Sequence, residues 1–238
     1  MRTLTFLPLA GLLALIFPVP AAAQSGSFQI ALNGKPIGTA NFNFTGAPSG
    51  YNSTSVVRVA TKGLDYALSK TEQLSSANEL QHVLLSAVVN SSAVTVTAAP
   101  DAGQIVLKFS ANGRGSTTRL AAHSSAVFLP DFDPGALETL LTLAVDHNNR
   151  DLWAIIPKNT GSVAPIQLAT YPDQQGTLDG KLVTVHHLVA TIAGAETDLF
   201  SGPENQLLQA ELPQEGFALV RKGFVLTPPA RPLAPPAG

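Results

Sequence analysis

The sequence predicts a mainly β protein, a large and strongly curved antiparallel sheet packed on one α-helix. Three observations predict it. Apolar residues recur with period two along most of the chain. Turn signals break that pattern about every ten residues, as they do in antiparallel meanders. One segment alone changes to the period of a helix.

The strands follow in order. Phe28, Ile30 and Leu32 alternate and run into Asn33-Gly34, a two-residue hairpin signal. Residues 37–45 form the partner strand, with Phe42 and Phe44 on one face. Further alternating runs occupy 51–61, 63–74, 80–90, 93–98, 105–110 and 116–121. The breaks between them include Asp101-Ala102-Gly103 and Asn112-Gly113. Strands resume at 152–157, 163–171, 181–192, 197–201, 207–212 and 217–226, with Asp179-Gly180 as another hairpin turn. The sum is a sheet of ten or more strands, half-barrel or β-clamp like.

The helix is expected at 134–147. Asp133 suits the N-cap and Pro134 the first helical position. Leu137, Leu140, Leu141, Ala144 and Val145 then fall on one stripe, which should pack on the sheet. Asn148-Asn149 ends it.

Several strands are apolar on both faces. In 80–90, Leu80, Leu84 and Val88 share one face with His82, while Val83, Leu85, Ala87 and Val89 share the other. Such strands are either covered on both sides or line a cavity with one face. One helix of about four turns is roughly 20 Å long. That is short for so wide a sheet; any strip left uncovered would bind something apolar, unless two packed sheets with a filled core close it.

Residues 1–23 read as a cleavable secretory signal peptide. Arg2 is the only charge, an apolar run ends at Pro18 and Pro20, and Ala21 and Ala23 suit the peptidase pockets before Gln24. The run is shorter than the ~20 apolar residues of a spanning helix, so no transmembrane span is expected after cleavage. Residues 24–226 read as a single β-rich domain. Residues 227–238, with five prolines, read as a disordered tail. The protein is therefore expected in the periplasm or outside the cell.

Composition excludes several functions. The chain has no cysteine, which removes thiol catalysis, thiolate metal sites and disulfides. Without Arg2, 13 basic side chains face 16 acidic ones, a net charge of −3. Arg58, Lys62, Lys70, Arg114 and Arg119 are scattered, so no basic patch for nucleic acid forms. A single Trp153 gives little to a carbohydrate-stacking surface. Neither a nucleophile elbow nor a P-loop, a dinucleotide fingerprint or an H-E-x-x-H motif is present.

The polar clusters have plain structural readings. His186 and His187 are neighbours on a strand and point to opposite faces. His82 lies mid-strand, His123 in a turn, and His147 at a helix end. Asp131 and Asp133 resemble half of a calcium loop, but helix capping by Asp133 is the simpler account. Arg150 and Asp151 read as an ion pair in a turn rather than a carboxylate site. No catalytic, metal-binding or cofactor-binding residue is assigned, and the ligand-binding residues stay unknown.

The segment from Phe28 to Gly38, a strand, a tight turn and an Ile37-Gly38 pair, resembles the opening hairpin of uncharacterised bacterial envelope proteins. Those proteins have a curved antiparallel sheet, LolA-like in architecture. Residues 182–188, then 197–200 with 207–211, resemble their returning strand and last hairpin, closed by Gly216-Phe217 and Val220-Arg221. The resemblance covers both ends of the chain. It implies an envelope protein without catalytic residues to carry over.

The first functional reading is a non-catalytic envelope protein that binds an apolar small molecule or lipid on its curved sheet. The alternative is a structural or assembly partner of other envelope proteins. An enzyme of unfamiliar type stands third. Mass spectrometry of the protein from its own host is expected to find Gln24 as the first residue; an intact Met1 in an extracytoplasmic fraction would overturn the leader assignment.

Overall fold

The computed structural model describes residues 24–227. The expected leader lies outside the described residues, as does the tail from 228 onward. Sixteen strands run through the described chain. They are β1 Ser25–Leu32, β2 Lys35–Ala47, β3 Gly50–Thr61, β4 Leu64–Ser75, β5 Leu80–Val89, β6 Ser92–Asp101, β7 Gln104–Ala111 and β8 Arg114–Ala121. After the short β9, Ala126–Phe128, comes the helix α1, Pro134–Asp146. There follow β10 Leu152–Ile156, β11 Ser162–Leu178, β12 Lys181–Ile192, β13 Ala195–Ser201, β14 Leu207–Leu212, β15 Phe217–Arg221 and β16 Phe224–Thr227.

All sixteen belong to one sheet. Its order is β8-β7-β6-β5-β4-β3-β2-β1-β15-β14-β13-β12-β11-β10-β9, with β16 added to β11. Every pairing is antiparallel except β9 with β10. The two ends of the chain meet in the middle, where Phe28 of β1 stands opposite Arg221 of β15. The hairpins form where sequence places residues that tolerate positive φ. Asn33-Gly34, Ala102-Gly103, Asn112-Gly113 and Asp179-Gly180 all have φ between 48° and 77° at both turn positions, which suits the twist of the flanking strands.

The sheet is curved and open. Helix α1 touches β2, β3, β9 and β14 at once, and β9 also touches β5. Strands so far apart in the order can share these neighbours only if the sheet bends around them. No ladder joins β8 to β9, so it does not close. The main core lies on the concave side, with Phe28, Ile30, Phe42, Val57, Leu107, Phe128 and Ile155 almost fully buried.

A second, smaller core lies on the opposite face of the last strands. Beyond a register shift between Tyr171 and Gln174, β11 accepts β16 on one side and keeps β12 on the other. Phe224 of β16 thereby covers Val185, Phe200 and Leu208. Residues 217–226 are therefore two strands turning at Gly223, φ 83°, where one strand was expected. The last strand reaches Thr227, one residue into the expected tail.

The helix forms for the expected reasons. The Asp133 carboxylate accepts from the amides of Gly135 (2.9 Å) and Ala136 (3.3 Å), and Pro134 occupies the first turn. Asn148 and Asn149, at φ 50° and 60°, end it. Its packing differs from the expected stripe. Leu137, Leu140, Leu141 and Ala144 are buried, but Val145 is 55% exposed and Leu143 is buried in its place. The sheet wraps around so much of the helix that Ala136, Glu138 and Thr139 are buried as well. Gly135 permits the close approach, since a Cβ there would lie 2.6 Å from Ser55 Oγ and 3.2 Å from Phe42 Cβ. No helix among the described residues is long and apolar enough to cross a membrane.

Leu141→Ala is expected to lower stability by about 2–5 kcal/mol in chemical denaturation, through lost burial and the cavity left behind. Val145→Ala should change it by less than about 0.5 kcal/mol. Equal effects at the two positions would show that the helix faces another way.

Candidate functional site

The concave side is only partly filled by the helix. Beyond it, β4–β8 form the floor of a cavity of about 620 Å³, within the ~300–1,000 Å³ usual for ligand pockets. The register explains which side chains reach it. Residues directly paired across strands share a face. Leu68, Ala87, Val94, Ala111 and Arg114 form one such row, and Leu85, Val96, Phe109 and Ser116 continue the next. Ala87 and Ala111 are small where Leu85 and Phe109 beside them are large, and their row leaves the depth of the cavity. The segments at 130–131 and 157–159 form the opposite wall. Gly161 seats the second of these close to the sheet. It has φ 83°, and a Cβ there would lie 2.7 Å from Leu107 Cδ2.

The rim is polar. Arg114 and Asp131 are exposed, and Lys158 pairs with Asp131 at 2.9 Å. The Tyr66 hydroxyl donates to the Asp131 carbonyl oxygen at 3.4 Å. Burial, with Asp131 and Asp133 nearby, holds that phenol above its ordinary value, so it remains a neutral donor.

Next to the cavity lies a buried charge cluster. Lys70 Nζ is 2.8 Å from Glu72 Oε2 and 2.7 Å from Asp133 Oδ2, and none of the three side chains is more than 1% exposed. Burial alone would lower the Lys70 value, but Asp133 and Glu72 outweigh it and raise it. Burial raises the Glu72 carboxyl, against the pull of Lys70. The pair Lys70 and Glu72 was legible in part: both sit on the face already marked by Leu64, Tyr66 and Leu68, two charges where apolar residues should continue. Asp133 is a helix cap, and its second oxygen holds Lys70.

Glu138 is a further buried acid, outside this cluster. It accepts from the Leu207 amide at 2.7 Å and from the Gln24 side chain. Burial pushes its carboxyl up to about 7, against the opposing effects of the Leu207 amide, Arg221 and Gln24.

The histidines do not converge. His187 is buried in the second core, with Nε2 2.8 Å from Asp198 and its ring stacked on Phe200 at 4.5 Å. His186 leaves the opposite face, as expected, and meets Asp173 at 2.9 Å. His123 stacks on Trp153 at 3.7 Å, and His147 caps the helix C-terminus. His82 is exposed. Among the described residues no group of three His, Asp or Glu side chains is placed to hold a metal ion. Arg150 and Asp151 form no ion pair with each other; the Asp151 carbonyl instead accepts from the Ser125 hydroxyl. Of the strands with two apolar faces, β12 is covered on both sides, with Val185 in the second core and Ala190 and Ile192 in the main one, but β5 is not. Val56, Leu84 and Val88 stand on the convex face, 41–44% exposed.

No family model, curated protein or solved structure matches the chain. The geometry therefore carries the functional argument. The cavity lining was not read as a site in the sequence, although Leu85, Ala87 and Val89 were placed on one face. The row that joins Ala87 to Ala111 and Arg114 depends on three consecutive registers.

Glu138 sets an expectation for pH. Its folded value of about 7 lies above the ordinary 4.5, so folding takes up a proton between those values. The stability it contributes is present at low pH and is lost as pH rises through about 7. Glu72 and Glu211 are raised too and act in the same direction. Denaturation between about pH 5 and 8 should show stability falling, and Glu138→Gln should flatten that slope. An unchanged slope would show that Glu138 ionises freely in the fold.

Proposed function

We propose that the protein is an exported, non-catalytic carrier that holds an apolar or lipid-like ligand in the concave cavity. The cavity itself carries this reading. Its floor is Leu85, Ala87, Val89, Val94, Val96, Phe109 and Ala111, all apolar, and the rim supplies the polar groups. Burying each CH₂ of a ligand contributes about 0.8 kcal/mol. The signal-peptide pattern of residues 1–23 and the resemblance of both chain ends to envelope proteins support a place in the periplasm or outside the cell. The buried Lys70–Glu72–Asp133 group favours support of the fold over chemistry, because its charges are spent on one another, and His187 and Asp198 are hydrogen-bonded to each other inside the second core.

A second reading rests on the convex face. Val56 and Val88, with Ala67 and Ala93, line a shallow depression there beside Arg58, Ser69, Ser86 and Thr95, and exposed apolar side chains grouped within a polar surface can mark protein contacts. On that reading the chain is an assembly partner in the envelope.

Lipid-stripped protein is expected to bind a fluorescent fatty-acid probe at about one per chain. Ala111→Phe, which fills the cavity from its floor, should weaken binding by more than about tenfold while leaving the melting temperature near that of the parent. Absence of binding by the parent protein would remove the carrier reading and leave the assembly reading ahead.

A further inference from the structure

We propose that the ligand is a single-chain fatty acid, bound with its carboxylate on the Arg114 guanidinium and its chain along the floor of the cavity. The inference rests on the carrier reading and adds the chemistry of the head group. Two cations line the cavity, Arg114 and Lys158, with one carboxylate, Asp131. Lys158 is already matched to Asp131 at 2.9 Å. Arg114 makes no ion pair among the described residues, so the rim keeps one unmatched positive charge.

The placement of that charge is fixed by the hairpin. Asn112-Gly113 turns β7 into β8 and sets Arg114 directly across from Ala111. Ala111 faces the cavity, and the paired Arg114 leaves the sheet on the same side. Its neighbours in β8 are Gly115 and Ser116, which line the cavity without filling it. Arg114 therefore stands at the edge where the apolar floor meets water. An amphiphile lying along the floor would present its head there.

Charge and size narrow the class. One guanidinium forms a two-pronged contact with one carboxylate. A phosphate monoester or a polyanion, with two or more charges, would call for more cations than the rim offers. A cleft of about 620 Å³, open to solvent along its rim, has room for a long acyl chain on its apolar floor.

The test compares a fluorescent C16 fatty acid with its methyl ester on lipid-stripped protein at about pH 8, where a carboxyl is ionised. The parent should bind the acid about tenfold more tightly than the ester, as a charge-assisted hydrogen-bonded pair allows. Arg114→Gln should bring the two to equal affinity and leave the ester's affinity where it was. Arg114 is exposed, and matching melting curves would show that the variant folds. Equal binding of acid and ester by the parent, or a preference that survives Arg114→Gln, would overturn the head-group assignment while the carrier reading stood. Failure of both probes to bind would overturn the carrier reading, and this inference with it.

Discussion

The structure depends on one carboxylate. Asp133 caps the first turn of the helix with one oxygen and holds Lys70 with the other. Lys70 comes from the middle of β4, so the pair fixes the start of the helix against the concave face of the sheet. Gly135 allows the contact to close by bringing the helix backbone against Ser55 and Phe42. Removing one member of a buried ion group leaves an uncompensated charge, at a cost of about 3–5 kcal/mol. The helix cannot slide along the sheet without breaking this pair. That constraint decides which part of the concave face is covered and which is left as a cavity.

The uncovered part is the β4–β8 half, and its chemistry follows from that position. The helix fills the middle of the sheet, beneath β2, β3 and β14. The segments before it and after β10 reach over the far half but do not fill it. Small residues at 87 and 111 then matter, because a larger side chain at either position would complete the core. The sequence keeps them small within rows that are otherwise well packed. The convex face of β5 carries Leu84 and Val88 into solvent, so apolar residues on both faces of β5 have separate causes. One face lines the cavity, and the other is uncovered.

Much of the fold was legible in the sequence, and the parts that were not share a physical reason. Hairpins at Asn33-Gly34, Asn112-Gly113 and Asp179-Gly180 are local, and so is the cap at Asp133. The three residues of β9 have too few alternations to register a period. β11 hides its second half behind Pro172 and a register shift, so residues 174–178 read as loop. The separation of β15 from β16 depends on Gly223 in a run that otherwise alternates. Val145 looked buried because a stripe assumes a flat partner. The sheet curves around the N-terminal part of the helix and releases its last turn. Arg114 looked like one of several scattered cations, and only its pairing with Ala111 places it at the cavity rim. The pairings of β1 with β15 and of β11 with β16 leave no local trace at all.

The meeting of β1 with β15 also sets an order of events in time. From β1 to β8 each strand pairs with the next in sequence, so this meander can form as the chain appears. The free side of β1 waits for residues 217–221, nearly two hundred positions later. Contacts so distant in sequence form slowly, because the loop they close must first be gathered up. Until then β1 is an edge with unpaired amides and carbonyls, open to strands of other chains. A chain emerging from its N-terminus therefore spends most of its synthesis with the future centre of its sheet exposed as an edge.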